Sequence, residues 1–261
     1  MDTAVNVNKS RGRGRGRREN PVTSSDKAPG HNVKDTDAKV NILALLQSGS
    51  VQAAVDFLDN AHGDILPALL DDVVDKVCNS ILENVEVVEN SAGLFKRLWD
   101  DEFKESALVR RSLLLRLQKQ YTGRDGLTDA AFQGYASFLC ELFSQLRVQG
   151  HYLLALVAPV YAVLTDFLKQ RDKSQDNLLT FHMLMCKHGL LLEKVAKDKM
   201  AELINIIRGT LLTETAKTAN SRLKICVLLE IVELYASNWV LSDDVKQYYS
   251  DKLADIMTEI E

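Results

Sequence analysis

Between Phe132 and Leu168 the chain carries two apolar helical segments in immediate succession, a combination that only a surrounding stack of other helices can cover. Phe132, Tyr135, Leu139, Leu142, Phe143 and Leu146 recur at steps of three and four, one face of a helix with a period of 3.6 residues. From Leu153 to Leu164 no charged side chain interrupts LLALVAPVYAVL, so the spacing predicts a second helix, the buried inner one of the pair. Gly150 lies between them, free to take the positive φ that ends many helices. Pro159 falls inside the predicted second helix, where it removes a backbone donor and predicts a kink. The Arg147–His151 loop is then the tip of a helical hairpin.

The same spacing recurs along the chain from residue 38. Val40, Ile42, Leu43, Leu45 and Leu46 predict a short helix, broken at Gly49-Ser50, and Val51, Val55 and Leu58 a second. Asp64 is placed to cap a helix whose core face is Leu66, Leu69, Leu70, Val73, Val74, Val77 and Ile81, with Pro67 in its first turn. Its other face carries Asp71, Asp72 and Asp75. Adjacent helical positions point about 100° apart, so these carboxylates read as a solvated face and not as a metal cage. Helices are further predicted over Glu86 to Phe103, after Glu105, over Leu178 to Val195, Lys199 to Leu212, Arg222 to Tyr235 and Asp243 to Ile260, with a polar connector at 169–177. No run of alternating β-branched and aromatic residues predicts a strand. The class is all-α, and about ten helices in five antiparallel pairs have the spacing of a HEAT-like or armadillo-type α-α superhelix.

Residues 1–37 differ in kind. They hold eight Lys and Arg against five Asp and Glu, while the whole chain has a net charge of -4, so a basic tail is joined to an acidic helical domain at 38–261. The tail has hardly any large apolar side chains and is expected to be disordered. Its run SRGRGRGRR places Arg11, Arg13, Arg15, Arg17 and Arg18 among glycines, a pattern that suits contact with RNA phosphates and bases and suits equally a solubilising or nuclear-targeting segment. Arginine methylation there would keep the charge and block bidentate hydrogen bonds. The N-terminus has no secretory pattern and the longest apolar run is too short to span a bilayer, so an intracellular protein without membrane attachment is expected.

The sequence offers little chemistry. Cys78, Cys140, Cys186 and Cys226 are far apart in apolar helical contexts, which predicts buried free thiols, with no disulfide and no zinc. GxxxxGK[ST], HExxH and GxSxG are absent. His182 and Cys186 are four apart and able to meet on one helix face, but the sequence supplies neither an orienting third group nor an oxyanion hole. We therefore expect no catalytic residue, no metal, no cofactor and no enzymatic activity. Partner binding is instead expected at a basic flank formed by Arg111, Arg116 and Lys119 and at Arg147 on the hairpin tip. Trp239, Tyr248 and Tyr249 join them, because Arg and aromatic residues are enriched at binding hot spots; packing of the last helix is the other reading of these aromatics.

Three segments carry a resemblance: RRSLLLRLQKQY (Arg110 to Tyr121), FLCELFSQLRVQGHYLLALVAPVYAVL (Phe138 to Leu164) and LLEIVELYASNWVLSDDVKQYYSD (Leu228 to Asp251). Together they are similar to the middle domain of eukaryotic initiation factor four-gamma, and within that family to the small stand-alone members that partner the histone mRNA stem-loop binding protein. Ala158 departs from the Asn that such members tend to carry before Pro-Val-Tyr. The resemblance implies a crescent of HEAT-like helix pairs acting as a non-enzymatic adaptor in mRNA translation or processing. The partners it implies are a stem-loop binding protein, translation initiation factors and a DEAD-box RNA helicase. A homodimer and a cytoplasmic and nuclear location are implied as well. The alternatives are an RNA-binding protein that works through its Arg-Gly tail and a cap-binding-complex-dependent initiation factor.

Overall fold

A computed structural model describes residues 42–60, 66–100, 103, 105–169 and 174–260. The expected tail at 1–37, its arginines and the cap at Asp64 lie outside the described residues. Helix α1 (42–47) ends at Gly49, whose φ of 76° allows the reversal into α2 (Val51–Asp59). The chain continues through α3 (Leu66–Glu83), α4 (Val88–Trp99), α5 (Ser106–Gly123), α6 (Asp129–Gln145), α7 (Val157–Lys169), α8 (Gln175–Val195), α9 (Lys197–Thr213), α10 (Ala219–Ala236) and α11 (Asp243–Ile260). Local chemistry marks several starts: Thr128, Ser174 and Thr218 each accept a hydrogen bond from a backbone N–H of the first turn of α6, α8 and α10.

The helices stack in two layers. α2, α4, α6, α8 and α10 pack each on the next, while α3 lies against α5 and α7 against α9, and α11 closes on α10. This is the HEAT-like superhelix that the helix spacing predicts. Among the described residues, α5 and α7 do not pack alongside one another, so the second layer opens between them. No helix among the described residues is long and apolar enough to cross a membrane.

The centre of the array is α6 and not the apolar segment that follows it. Every residue from Gly134 to Phe143 is buried, because α3, α4, α7 and α8 all pack on this helix. The approach of α3 depends on Gly134, where an added Cβ would stand 1.9 Å from the Ile81 carbonyl oxygen. Phe132, Phe138 and Phe143 are fully buried, each such ring contributing about 1.5–3 kcal/mol by leaving water.

The Leu153 to Leu164 prediction is corrected in two ways. Leu154–Leu156 form a 3-10 turn with Leu154 68% exposed, and the α-helix begins only at Val157. Pro159 thus sits in the first turn of α7, where backbone donors have no partner within the helix, and the reason for a kink disappears. The connection before it also differs from a simple helix end. Arg147–Val148 and His151–Tyr152 form a small antiparallel ribbon, and Gln149 and Gly150, both at positive φ, make its tight turn. The helix predicted from Glu86 to Phe103 is shorter as well: a 3-10 turn at Val85–Val87 precedes α4, which stops at Trp99 because Asp100 is extended.

Candidate protein interaction surface

Helix α5 turns Val109, Leu113, Leu117 and Gln120 into the core. Successive residues step by about 100°, so the three leucines at 113–115 cannot all point inward, and Leu115 is left 56% exposed. Arg111 and Lys119, four residues to either side of it, are exposed on the same face. The result is a cation-leucine-cation stripe along the outside of α5.

Arg116 does not belong to that stripe. Its side chain is only 15% exposed, pairs with Asp75 at 3.4 Å and donates a hydrogen bond to Asn79 Oδ1. The Ser112 hydroxyl donates to Asp71. The acidic face of α3 is therefore engaged in part by α5, and Arg116 holds the two helices in register. Of the basic flank, Arg111 and Lys119 remain turned to solvent.

Beside the stripe lies an apolar hollow of about 340 Å³, in the gap between α5 and α7. Leu114, Leu117 and Tyr121 form one wall, Tyr135 and Leu139 of α6 the floor, and Ala155, Leu156 and Pro159 the far wall. Gln118 edges both this hollow and a shallower one bordered by Leu115 and Lys119. Aliphatic and aromatic walls next to fixed positive charge suit an apolar anchor with acidic neighbours on a protein segment. No nucleophile paired with a base lines these hollows.

The other expected contact residues are divided. Arg147 is tied into the hairpin, with its guanidinium 3.6 Å above the Tyr152 ring and donating to the carbonyls of Leu146 and Ser144. Trp239 packs on Gly189, where a Cβ would stand 1.9 Å from the indole, and its Nε1 donates to Glu193 at 2.6 Å. Tyr249 is buried and its hydroxyl donates to Glu233 at 2.7 Å. Tyr248 is 56% exposed and borders a small hollow with Leu229 and Cys226.

Two polar clusters lie away from α5. Glu141 is buried on α6 and pairs with Lys187 and His188 of α8; His188 stands 3.2 Å away, in range of an ion pair though not aligned as a hydrogen bond. Burial would push the Glu141 carboxyl up, but these two partners outweigh it and hold it at about 2. The second cluster corrects the sequence reading. His182 and Cys186 do meet, at 3.4 Å, and Glu230 of α10 stands 2.8 Å from the same imidazole nitrogen, providing the third group that neighbouring sequence does not. Cys186 is exposed and not buried, while Cys78, Cys140 and Cys226 are buried; all four thiols are free.

No protein-family model matches the chain. A curated MIF4G domain-containing protein of Mus musculus is 33% identical over 153 residues, covering 57% of this chain and 68% of the relative. The Homo sapiens protein of that name is 33% identical over 157 residues, with the same two coverages. A MIF4G domain-containing protein B of Danio rerio is 33% identical over 157 residues, again covering 57% and 68%. The chain belongs to the MIF4G domain-containing protein family. The resemblance drawn from the three segments therefore stands at the level of the family.

Within this MIF4G chain, the floor and far wall of the hollow are what sequence reasoning missed. Tyr135, Leu139 and Pro159 read as core because each lies on an apolar run, and nothing local says that the layer opens above them. Leu115 was detectable: a third consecutive leucine on a helix with polar neighbours has no inward position left.

Proposed function

We propose that this MIF4G domain is a non-enzymatic adaptor in mRNA translation or processing that docks a protein segment along α5. The segment places an apolar anchor in the hollow between α5 and α7 and acidic side chains beside Arg111 and Lys119. The observation that carries this reading is the meeting of an apolar groove with solvent-facing cations in a family whose resemblance implies scaffolding. The partners it fits are a stem-loop binding protein of histone mRNA 3′ ends, translation initiation factors and a DEAD-box RNA helicase, bridged in the cytoplasm or nucleus. A homodimer would present two such surfaces and raise avidity for an assembled mRNA.

Affinity capture from cell extract with the full chain is the test. Wild-type protein is expected to recover a stem-loop binding protein, a DEAD-box helicase or an initiation factor, and Arg111→Glu with Lys119→Glu to lose it. Recovery of none of these by wild-type protein would overturn the reading.

The Arg-Gly run motivates a second reading, an RNA-binding protein that works through its tail. Removal of residues 1–37 separates the two. The adaptor keeps its protein partners after the deletion, whereas a tail-driven RNA binder loses most of its RNA affinity and the salt dependence of that affinity.

A further inference from the structure

We infer that His182, Cys186 and Glu230 form a binding site for one zinc ion that joins α8 to α10. His182 and Cys186 are one helical turn apart on the same face of α8, the i, i+4 placement by which a helix offers two donors to one metal. Glu230 projects from the neighbouring α10, so the third donor comes from a separate element and the site exists only in the folded chain.

The three donor atoms, an imidazole nitrogen, a thiol sulfur and a carboxylate oxygen, all lie within 4.8 Å of one another. Tetrahedral zinc with ordinary bond lengths separates such donors by about 3.3–3.6 Å. The sulfur and nitrogen already stand 3.4 Å apart. The carboxylate oxygen, now 2.8 Å from the nitrogen and within 4.8 Å of the sulfur, has to shift by roughly half an ångström or more to meet that spacing. Both contacts are made by His182 Nε2, and metal binding there releases the Nε2 proton and the Cys186 thiol proton to water, leaving an imidazole nitrogen, a thiolate and a carboxylate as the donors.

The donor chemistry selects the metal. One nitrogen, one sulfur and one oxygen suit borderline-soft zinc, whereas calcium and magnesium require sets of oxygens. His182 and Glu230 are largely covered, with side chains 18% and 13% exposed, while Cys186 faces solvent. Three protein donors thus leave the fourth position to water on the Cys186 side. The ion would clamp the middle of the array to its C-terminal helices without involving α5, so the site stands or falls independently of the docking reading.

The test uses the untagged full chain, depleted of metal and kept reduced. Cobalt(II) is expected to bind one ion per chain and give the near-ultraviolet thiolate-to-cobalt absorption, and zinc to displace it and raise the thermal midpoint. Cys186→Ser should abolish that absorption, and Glu230→Gln should weaken zinc binding by about tenfold or more. Magnesium should leave the midpoint unchanged. Failure to bind either transition metal in saturable one-to-one fashion would overturn the proposal, as would thiolate absorption that survives Cys186→Ser in a variant with unchanged circular dichroism.

Discussion

At the scale of single residues, one glycine decides how closely α3 approaches α6, and one carboxylate ties stability to acid. An alanine at Gly134 has no space, because the opposing atom is a backbone carbonyl and cannot swing aside. Gly134→Ala is therefore expected to lower stability by about 1–3 kcal/mol despite the better helix propensity of alanine. Gly123, with nothing within 4 Å of the added Cβ, is the matched control and should change stability by no more than about 0.5 kcal/mol; urea unfolding of both variants measures the difference. Glu141 makes stability depend on acid. Its folded carboxyl lies at about 2 against an ordinary 4.5, so the stability it contributes is complete above 4.5 and is lost as pH falls from 4.5 towards 2. Urea midpoints taken across that window should fall steeply for the wild type and more gently for Glu141→Gln.

At the scale of the element, α5 carries two kinds of cation on one helix. Arg116 faces α3 and is expected to act on stability: Arg116→Ala should cost about 1 kcal/mol, part of it from lost packing of the aliphatic stem, since Asp75 is well exposed and its pairing screened. Arg111 and Lys119 face solvent. Arg111→Glu with Lys119→Glu should leave the unfolding free energy from urea titration within about 0.5 kcal/mol of wild type while removing captured partners. If the double reversal destabilised the fold as much as Arg116→Ala, the division of α5 into a packing face and a docking face would be wrong. The sequence groups the three residues as one basic flank because their charge is alike. Their roles part at the 100° step of the helix and at the position of α3.

At the scale of the whole molecule, the two-layer stack buries α6 on all sides and leaves a gap where α5 and α7 fail to meet. Filling that gap should be felt as lost binding and not as lost folding. Ala155→Trp, on the far wall of the hollow at an exposed position, is expected to leave the thermal midpoint nearly unchanged while reducing partner capture. Capture equal to wild type would place docking elsewhere on the array.

The helical class and most helix positions were legible in the sequence, because periodicity is set by residues within a turn or two of one another. Segment likeness over the same stretches was enough to reach the MIF4G family. Hydrophobic content, by contrast, misplaced the centre: Leu153 to Leu164 is the more apolar run, yet α6 is the buried helix, since burial depends on how many neighbours pack around an element and not on its own composition. Tertiary structure alone decided that Arg116 meets Asp75, that Glu230 meets His182 across 48 positions, and that a hollow opens beside α5. Such encounters between distant residues follow from the angles and spacing at which helices stack, and no local periodicity in the chain records them.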